Sequence, residues 1–470
     1  MGAEFKATSV GVSESKEQHA LAVLRARLLR AITSIDKKIQ QQLDTILHHS
    51  AFQRLEASWR GLCYLAEQTE QHDRNGLCRI KVISLSWHEL SRDINRAIDF
   101  DQSEFFKLIY SNEFDMAGGE PFGLLVGDYE VSHRQRAGEQ LNDINVLKEI
   151  ASTAAAAFAP FITSASPTLL GVDKFSELSS VSDVSTQFQQ LDYLNWRRLR
   201  QMEESRFLGI TLPRILMRRP YMRDGSRQEA FHYQECVASG EQDLLWGNAA
   251  FGFAAVLVRT FAECGWFSQI RGLQPGKQAN GLVCELPCRV ASEIVETGLG
   301  MNSVDLQVSD RLEKALSDSG LVPLSTVPYS PHLVFYSNAS VQTPMAYDSP
   351  AATINSRLSS MLQYVMCVSR FAHYIKVMGR DLLGTYETSS TIESKLQRWL
   401  HSYTTASDNA SNEVRAKYPL GEANIEVKEK LGQPGHYYSV IRLRPHFQLD
   451  QMVSSMRLVT ELSPKFKTAV

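Results

Sequence analysis

The chain has 470 residues, 43% hydrophobic and 21% charged, which describes an ordered protein too long for one usual core, so two or three domains are expected. A net charge of -3 gives no reason for general nucleic-acid binding, and the seven cysteines, without dense spacing, read as reduced thiols and not as a disulfide framework. The opening M-G-A-E-F-K-A-T-S-V lacks a basic-then-apolar signal, and the longest apolar runs, near Ala154–Phe161 and Ala249–Val258, are too short to span a bilayer, so neither secretion nor membrane insertion is expected.

Residues 1–16 are polar and read as mobile. A helix is expected from about Glu17 to His48, because Leu21, Leu24, Leu28, Ile32, Ile35, Ile39, Leu43 and Ile46 recur at helical spacing. Two readings of that stripe stay open: a helix packed on its own core, or a seam with a partner helix, since the pattern is long and coiled-coil-like. A second helix, Phe52 to about Glu67, carries Leu55, Trp59, Leu62 and Leu65. Arg79–Ser84 alternates as a strand, Asp101–Tyr110 reads as a helix, and Pro121–Asp128 holds a buried-strand run. Asp143–Phe158 is an Ala-rich buried helix, and Arg197–Leu216 joins a charged helix to the strand F-L-G-I-T-L-P. Asp243–Cys264 is apolar on nearly every side and reads as a core helix. Asp305–Leu324 starts as a strand and becomes a short helix ending at Gly320; Leu333–Tyr336 is a strand; Ile354–Asp381 and Ile392–Tyr403 are helices. Strands alternating with helices indicate α/β architecture.

The last fifty or so residues stand apart. Ala423–Glu429 alternates, Gly432-Gln433-Pro434-Gly435 signals a turn, and Tyr437–Arg444 is a second strand rich in aromatic and β-branched residues. Leu449–Leu462 follows as an amphipathic helix, with Leu449, Met452, Met456 and Val459 on one stripe. A lone hairpin is only marginally stable, so this end reads as a part that completes its folding against another molecule.

Enzyme motifs are not evident. Gly272-Leu273-Gln274-Pro275-Gly276-Lys277-Gln278 has three residues between its glycines where a phosphate loop has four, and Gln278 replaces the magnesium-binding hydroxyl. Gly118-Gly119 reads as a turn, and Cys284 and Cys288 as core thiols, since zinc requires four convergent ligands. His48 and His49 are adjacent and face different ways. His373 reads as a buried, hydrogen-bonded residue, and Phe371, Tyr374 and Trp399 as core. No catalytic residue, cofactor or metal is expected; an enzyme with a site dispersed through the sequence is the alternative.

Several stretches, in order along nearly the whole chain, resemble one family. They are Ile46-Leu47-His48-His49, F-Q-R-L-E-A-S-W-R-G-L from Phe52 to Leu62, Phe100–Ser103, Gly118–Gly123 with Gly127–Tyr129, and Arg206–Gly209 with Leu212–Arg214. Leu245–Ala249, Ser369–Tyr374 and Leu443–Leu449 complete the set. Together they resemble the large subunit of the type VI secretion contractile sheath, the TssC/VipB family. The resemblance implies a bacterial cytoplasmic structural protein that pairs with the small sheath subunit (TssB/VipA). Such pairs stack with further copies around an inner tube of Hcp protein, on a baseplate, and contract to drive the tube outward. Contraction can then be a rearrangement between two packings, with no active site in this chain.

The expected organisation is a mixed α/β (α+β) multi-domain fold. Residues 1–66 form a helical segment, with Leu21, Leu24, Leu28, Ile32, Ile35 and Ile39 as the seam for the small subunit. Residues 67–420 form an α/β core, with an unplaced internal boundary. Residues 421–470 form a hairpin that accepts neighbouring strands through Ile425, Val427, Tyr438, Val440 and Arg442, and a helix facing the tube through Asp450, Ser454, Arg457 and Glu461. An ordinary solvated face is the alternative for those last four. The resemblance also implies disassembly by the unfoldase ClpV. Only 45 residues precede Ile46, where related chains carry a longer segment that can hold the unfoldase-recognised helix. That weighs against ClpV recognition here and leaves room for a divergent paralogue, or for recycling through the partner.

Overall fold

The computed structural model describes residues 5–116, 118–135, 142–181, 183–222, 231, 233–237, 242–273, 280–287, 303–327, 330, 332–381, 389–405, 407, 410–429 and 437–446. The chain opens with helices α1 (Phe5–Leu47), α2 (Ser50–His72) and α3 (Trp87–Arg96). Next come α4 (Glu104–Phe106), which runs on into π-helical turns over Lys107–Asp115, then β1 (Leu125–Val131), α5 (Asp143–Ala156) and β2 (Phe161–Ala165). α6 (Leu194–Gln201), β3 (Leu208–Leu212), β4 (Ile215–Arg218), β5 (Leu245–Gly247), α7 (Ala250–Cys264) and β6 (Leu282–Val283) follow. Then come α8 (Asp310–Asp318), β7 (Val322–Thr326), β8 (Leu333–Phe335), α9 (Pro350–Ser359), α10 (Leu362–Asp381), α11 (Ser389–His401), α12 (Asn412–Lys417), β9 (Leu420–Glu429) and β10 (Tyr437–Pro445).

The centre is a six-stranded sheet in the order β1-β2-β3-β7-β8-β6. Its first four strands are parallel, and β8 and β6 join antiparallel. Every residue of β2 and β3 is buried, as parallel strands covered on both faces require. Phe161, Leu208, Ile210 and Leu212 pack with Leu147, Ile150 and Trp196 on one face. Ile162, Val322 and Leu324 pack with Phe253, Val256 and Leu362 on the other. α2 lies close against α7, where a Cβ at Gly61 would collide with the Phe251 ring. A separate cluster holds Trp266, Phe371, Leu396, Leu400, Leu420 and Ile425, with the Trp266 and Phe371 rings stacked at 4.0 Å between centroids.

His373, on α10, is buried, and its Nε2–H donates to the Ala157 carbonyl at 2.9 Å. Burial pushes the imidazole down to about 4, against the pull of that bond, so the ring is neutral at physiological pH. Phe371, Tyr374 and Trp399 pack in one aromatic group, as the sequence indicates.

The structure differs from the sequence reading in five places. α1 begins at Phe5 and not at Glu17, because extending an existing helix adds a hydrogen bond for each residue fixed, even where side chains are polar. Arg79–Ser84 is extended but lies in no ladder among the described residues; alternation selects an extended backbone, but only a neighbouring strand makes a sheet. The core helix starts at Ala250, since Leu245–Gly247 pairs with β4. Asp305 leads into no strand: its carboxylate accepts from the Arg214 backbone N–H and Nε–H at 2.9 and 2.8 Å, and only Val304 bridges to Ile215. The long helix breaks at Ser360-Met361, where Met361 bridges to Ala339, Ser340 N–H donates to Ser360 O, and Leu362 N–H donates to Asn338 O. The turn at Gly432–Gly435 lies outside the described residues.

Candidate assembly surfaces

α1 is fixed at its C-terminal end. Gln40 Nε2 donates to Gln234 O at 2.7 Å, and Tyr233 Oη donates to Asp44 Oδ1 at 2.5 Å. His48 Nε2 donates to Glu235 Oε1 at 3.1 Å. Among the described residues, Gln40 is the first α1 side chain to hydrogen-bond another element. Beneath this socket lies a buried charge cluster. Arg218 grips Glu235 with two bonds, at 2.5 and 3.2 Å, and Glu56 on α2 at 2.9 Å, with its guanidinium 4.4 Å from the centre of the Tyr221 ring. Burial opposes ionisation of Glu235, yet Arg218, the Tyr221 N–H and His48 hold its carboxyl below the usual range. The I-L-H-H motif thereby acquires a structural role: His48 closes the cluster, while His49 caps α2 by accepting from Ala51 N at 3.3 Å. Replacing Arg218 by Met leaves Glu235 buried without its guanidinium and Glu56 with Arg60 alone. Urea unfolding of the isolated chain is expected to show a loss of about 3–5 kcal/mol. Adding Glu235→Gln to that variant is expected to recover a large part.

Beyond the socket, the apolar stripe of α1 has no cover among the described residues. Leu21, Leu24, Leu28, Ile32, Ile35 and Ile39 are 42–64% exposed, whereas Leu43 and Leu47, near the socket, are half-buried. The stripe is therefore not packed on a core formed by the described residues. An exposed row of this length is unusual on a free surface and marks an interaction site.

The hairpin β9–β10 is antiparallel, with Ile425 opposite Ile441, Val427 opposite Ser439, and Tyr438 opposite Lys428. Ala423 and Ile425 are buried on the α10–α11 cluster, and Val427, Ile441 and Leu443 pack against it. Val440 and Arg442 face outward with Glu426 and Lys428, and Glu426 pairs with Lys428 at 3.0 Å. A lone two-stranded hairpin has two open edges, but α11 closes one. Gln397 takes the Ile425 N–H and gives to Ala423 O, both at 2.9 Å, and Glu393 takes the Val427 N–H at 2.8 Å. Side chains cover that edge where no strand does. Because the Ile425 and Val427 N–H groups point at α11, the intervening Glu426 exchanges ladder bonds with Val440, and the N–H groups of Ser439, Ile441 and Leu443 point away from β9. The open edge is β10. Neither α11's edge-capping pair nor the Arg218 cluster has a sequence signal, because each joins residues far apart in the chain.

Asp450, Ser454, Arg457 and Glu461 lie outside the described residues, as do Cys288 and the loop from Gln274 to Gln278. Cys284 is buried, and burial pushes its thiol up. Among the described residues, no three His, Cys, Asp or Glu side chains converge as a metal site, and no helix is long and apolar enough to cross a membrane.

Residues 29–342 match the family model VipB, described as "EvpB/VC_A0108, tail sheath N-terminal domain". Residues 351–462 match VipB_2, "EvpB/VC_A0108, tail sheath gpW/gp25-like domain". The type VI secretion system sheath protein TssC1 of Pseudomonas aeruginosa is 36% identical over 443 residues, 93% of this chain and 86% of that protein. Among solved structures, a chain of the anti-feeding prophage baseplate aligns at TM-score 0.39 and 8% identity, over 81% of this chain and 82% of that one. A chain of the contracted anti-feeding prophage sheath aligns at TM-score 0.35 and 8% identity, over 67% and 66%. With the VipB model matched over more than half its length and TssC1 over nearly all of it, this chain belongs to the VipB tail-sheath family, the TssC proteins of the type VI secretion sheath.

Proposed function

We propose that this sheath subunit is the larger half of a two-chain building block. The small sheath subunit lies along the apolar stripe of α1, and the pairs polymerise in the cytoplasm around an Hcp tube seated on a baseplate. The observation that carries this reading is the stripe itself: a helix fixed at one end, with six large aliphatic residues in water along the rest. Covering what remains exposed contributes roughly 1–2 kcal/mol per residue before the costs of association. The open β10 edge takes a strand from a neighbouring block, so that main-chain bonds link protomers that still rotate during contraction. The segment that carries Asp450, Ser454, Arg457 and Glu461 faces the tube. The chain works by changing packing and not by chemistry, so it is not an enzyme. A boundary near residue 420 separates the α/β body from the linking end, while α2, which runs across residue 66, packs on α7 and belongs to the body, so that α1 is the pairing helix.

Electron microscopy of the chain co-expressed with its small subunit tests this reading. Regular hollow tubules are expected, and neither chain alone is expected to form them. A well-behaved small oligomer with no tubules under any condition would overturn it.

A further inference from the structure

We propose that the extended segment from Arg79 to Ser84 receives a β-strand of the partner that covers α1. The inference rests on the two-chain reading above and adds a second, separate contact to it.

Arg79-Ile80-Lys81-Val82-Ile83-Ser84 has the composition of a strand and an extended backbone, yet it pairs with nothing among the described residues. No backbone N–H or C=O of residues 79–84 makes a hydrogen bond to a described residue. The segment is nevertheless tied to the body at both ends and through two side chains. Cys78 N–H donates to Asp73 at 2.5 Å, and Tyr129 Oη donates to Leu85 O at 2.7 Å. Between them, Arg79 Nη1 donates to both Glu120 oxygens at 3.0 and 2.8 Å, and Lys81 pairs with Glu113 and sits 5.0 Å from the centre of the Phe122 ring. Arg79 and Lys81 thus reach toward the body, and the two-residue period sends Ile80 and Val82 the other way. Ile80 is 39% exposed and Val82 68%.

An unpaired strand row is normally blunted by inward-pointing charge, proline or cover. Here both cations are spent on the chain's own carboxylates, and the outward side chains are β-branched. A fixed, extended backbone with free donors and acceptors matches one kind of occupant, another extended backbone with apolar side chains at alternate positions. Because the segment is already ordered, pairing costs little conformational entropy. Continuity identifies the chain that supplies the strand. α1, α2 and this segment follow one another in sequence, and each leaves apolar side chains outside: Leu28 and Ile35, then Leu55 and Trp59, then Ile80 and Val82. One partner crossing all three covers them together.

Hydrogen–deuterium exchange on the isolated chain and on the purified two-chain complex separates the outcomes. In the isolated chain, amides of residues 79–84 should exchange at the rate of unstructured peptide. In the complex they should slow at least tenfold, alongside protection at α1. Val82→Pro and Ile83→Pro remove N–H donors on the two opposite edges of the segment, and at least one should weaken the complex tenfold or more without shifting the Tm of the isolated chain. Protection of α1 with residues 79–84 still exchanging fast would overturn this inference and leave the two-chain reading standing. Failure of the two chains to co-purify would overturn both. Concentration-dependent protection of 79–84 in the chain alone would assign the edge to a second copy and overturn the proposal.

Discussion

Replacing Leu28 and Ile35 together by Asp is expected to abolish co-purification with the small subunit while leaving the isolated chain's unfolding transition where it was. The two halves of that result have separate causes. Each side chain is 56% exposed in the chain alone, so the substitutions remove little packing and create no buried charge there. Positions i and i+7 of one stripe are not neighbours on the helix, so the two new carboxylates add little repulsion. In a seam, by contrast, both carboxylates are taken out of water without a partner, at a cost of several kcal/mol each. Two such sites weaken the pair by on the order of a thousandfold or more, at 1.4 kcal/mol for each factor of ten. A pull-down of the double variant, with a melting curve of the same protein, checks both halves. Undiminished capture would show that the stripe is not the seam. Lost capture with a lowered Tm would show that it packs within its own chain.

Ser439→Pro is expected to leave the two-chain unit soluble and to prevent long sheaths. The register explains the choice of residue. Ser439 lies opposite Val427, whose N–H is taken by Glu393, so the Ser439 N–H points to the open side of β10. Proline there deletes a donor that an added strand requires and spares the ladder with β9. Val440→Pro is the informative contrast. Its N–H faces Glu426 within the hairpin, so that substitution should break the hairpin and expose Ile425, with loss of stability as well as assembly. Micrographs showing full-length sheaths from Ser439→Pro, with the two-chain unit intact, would sink the strand-addition reading.

The sequence by itself determined the elements whose signal is local. The stripe of α1, the alternation of β9 and β10, the apolar bulk of α7 and the charged helix before β3 are written in residue spacing, because burial of one face imposes a period on the chain. Motifs scattered from Ile46 to Leu449 likewise determined the family, since their order survives independently of any contact. Tertiary structure decided what spacing does not encode. Arg79–Ser84 and the Ala423–Val427 run of β9 alternate alike, yet among the described residues only the latter has a strand beside it, because pairing depends on what lies alongside.

The same holds for edges and charges. That α11 closes one side of the hairpin with Gln397 and Glu393, and that Arg218, Glu235, Glu56 and His48 meet beneath α1, follows from bringing distant segments together. No local period records such a meeting, because a side chain's hydrogen-bond partner is set by the path of the whole backbone and not by its neighbours in sequence. The stripe of α1 shows the division most plainly. Spacing fixed which residues share its face, while only the folded chain showed that no described residue covers that face.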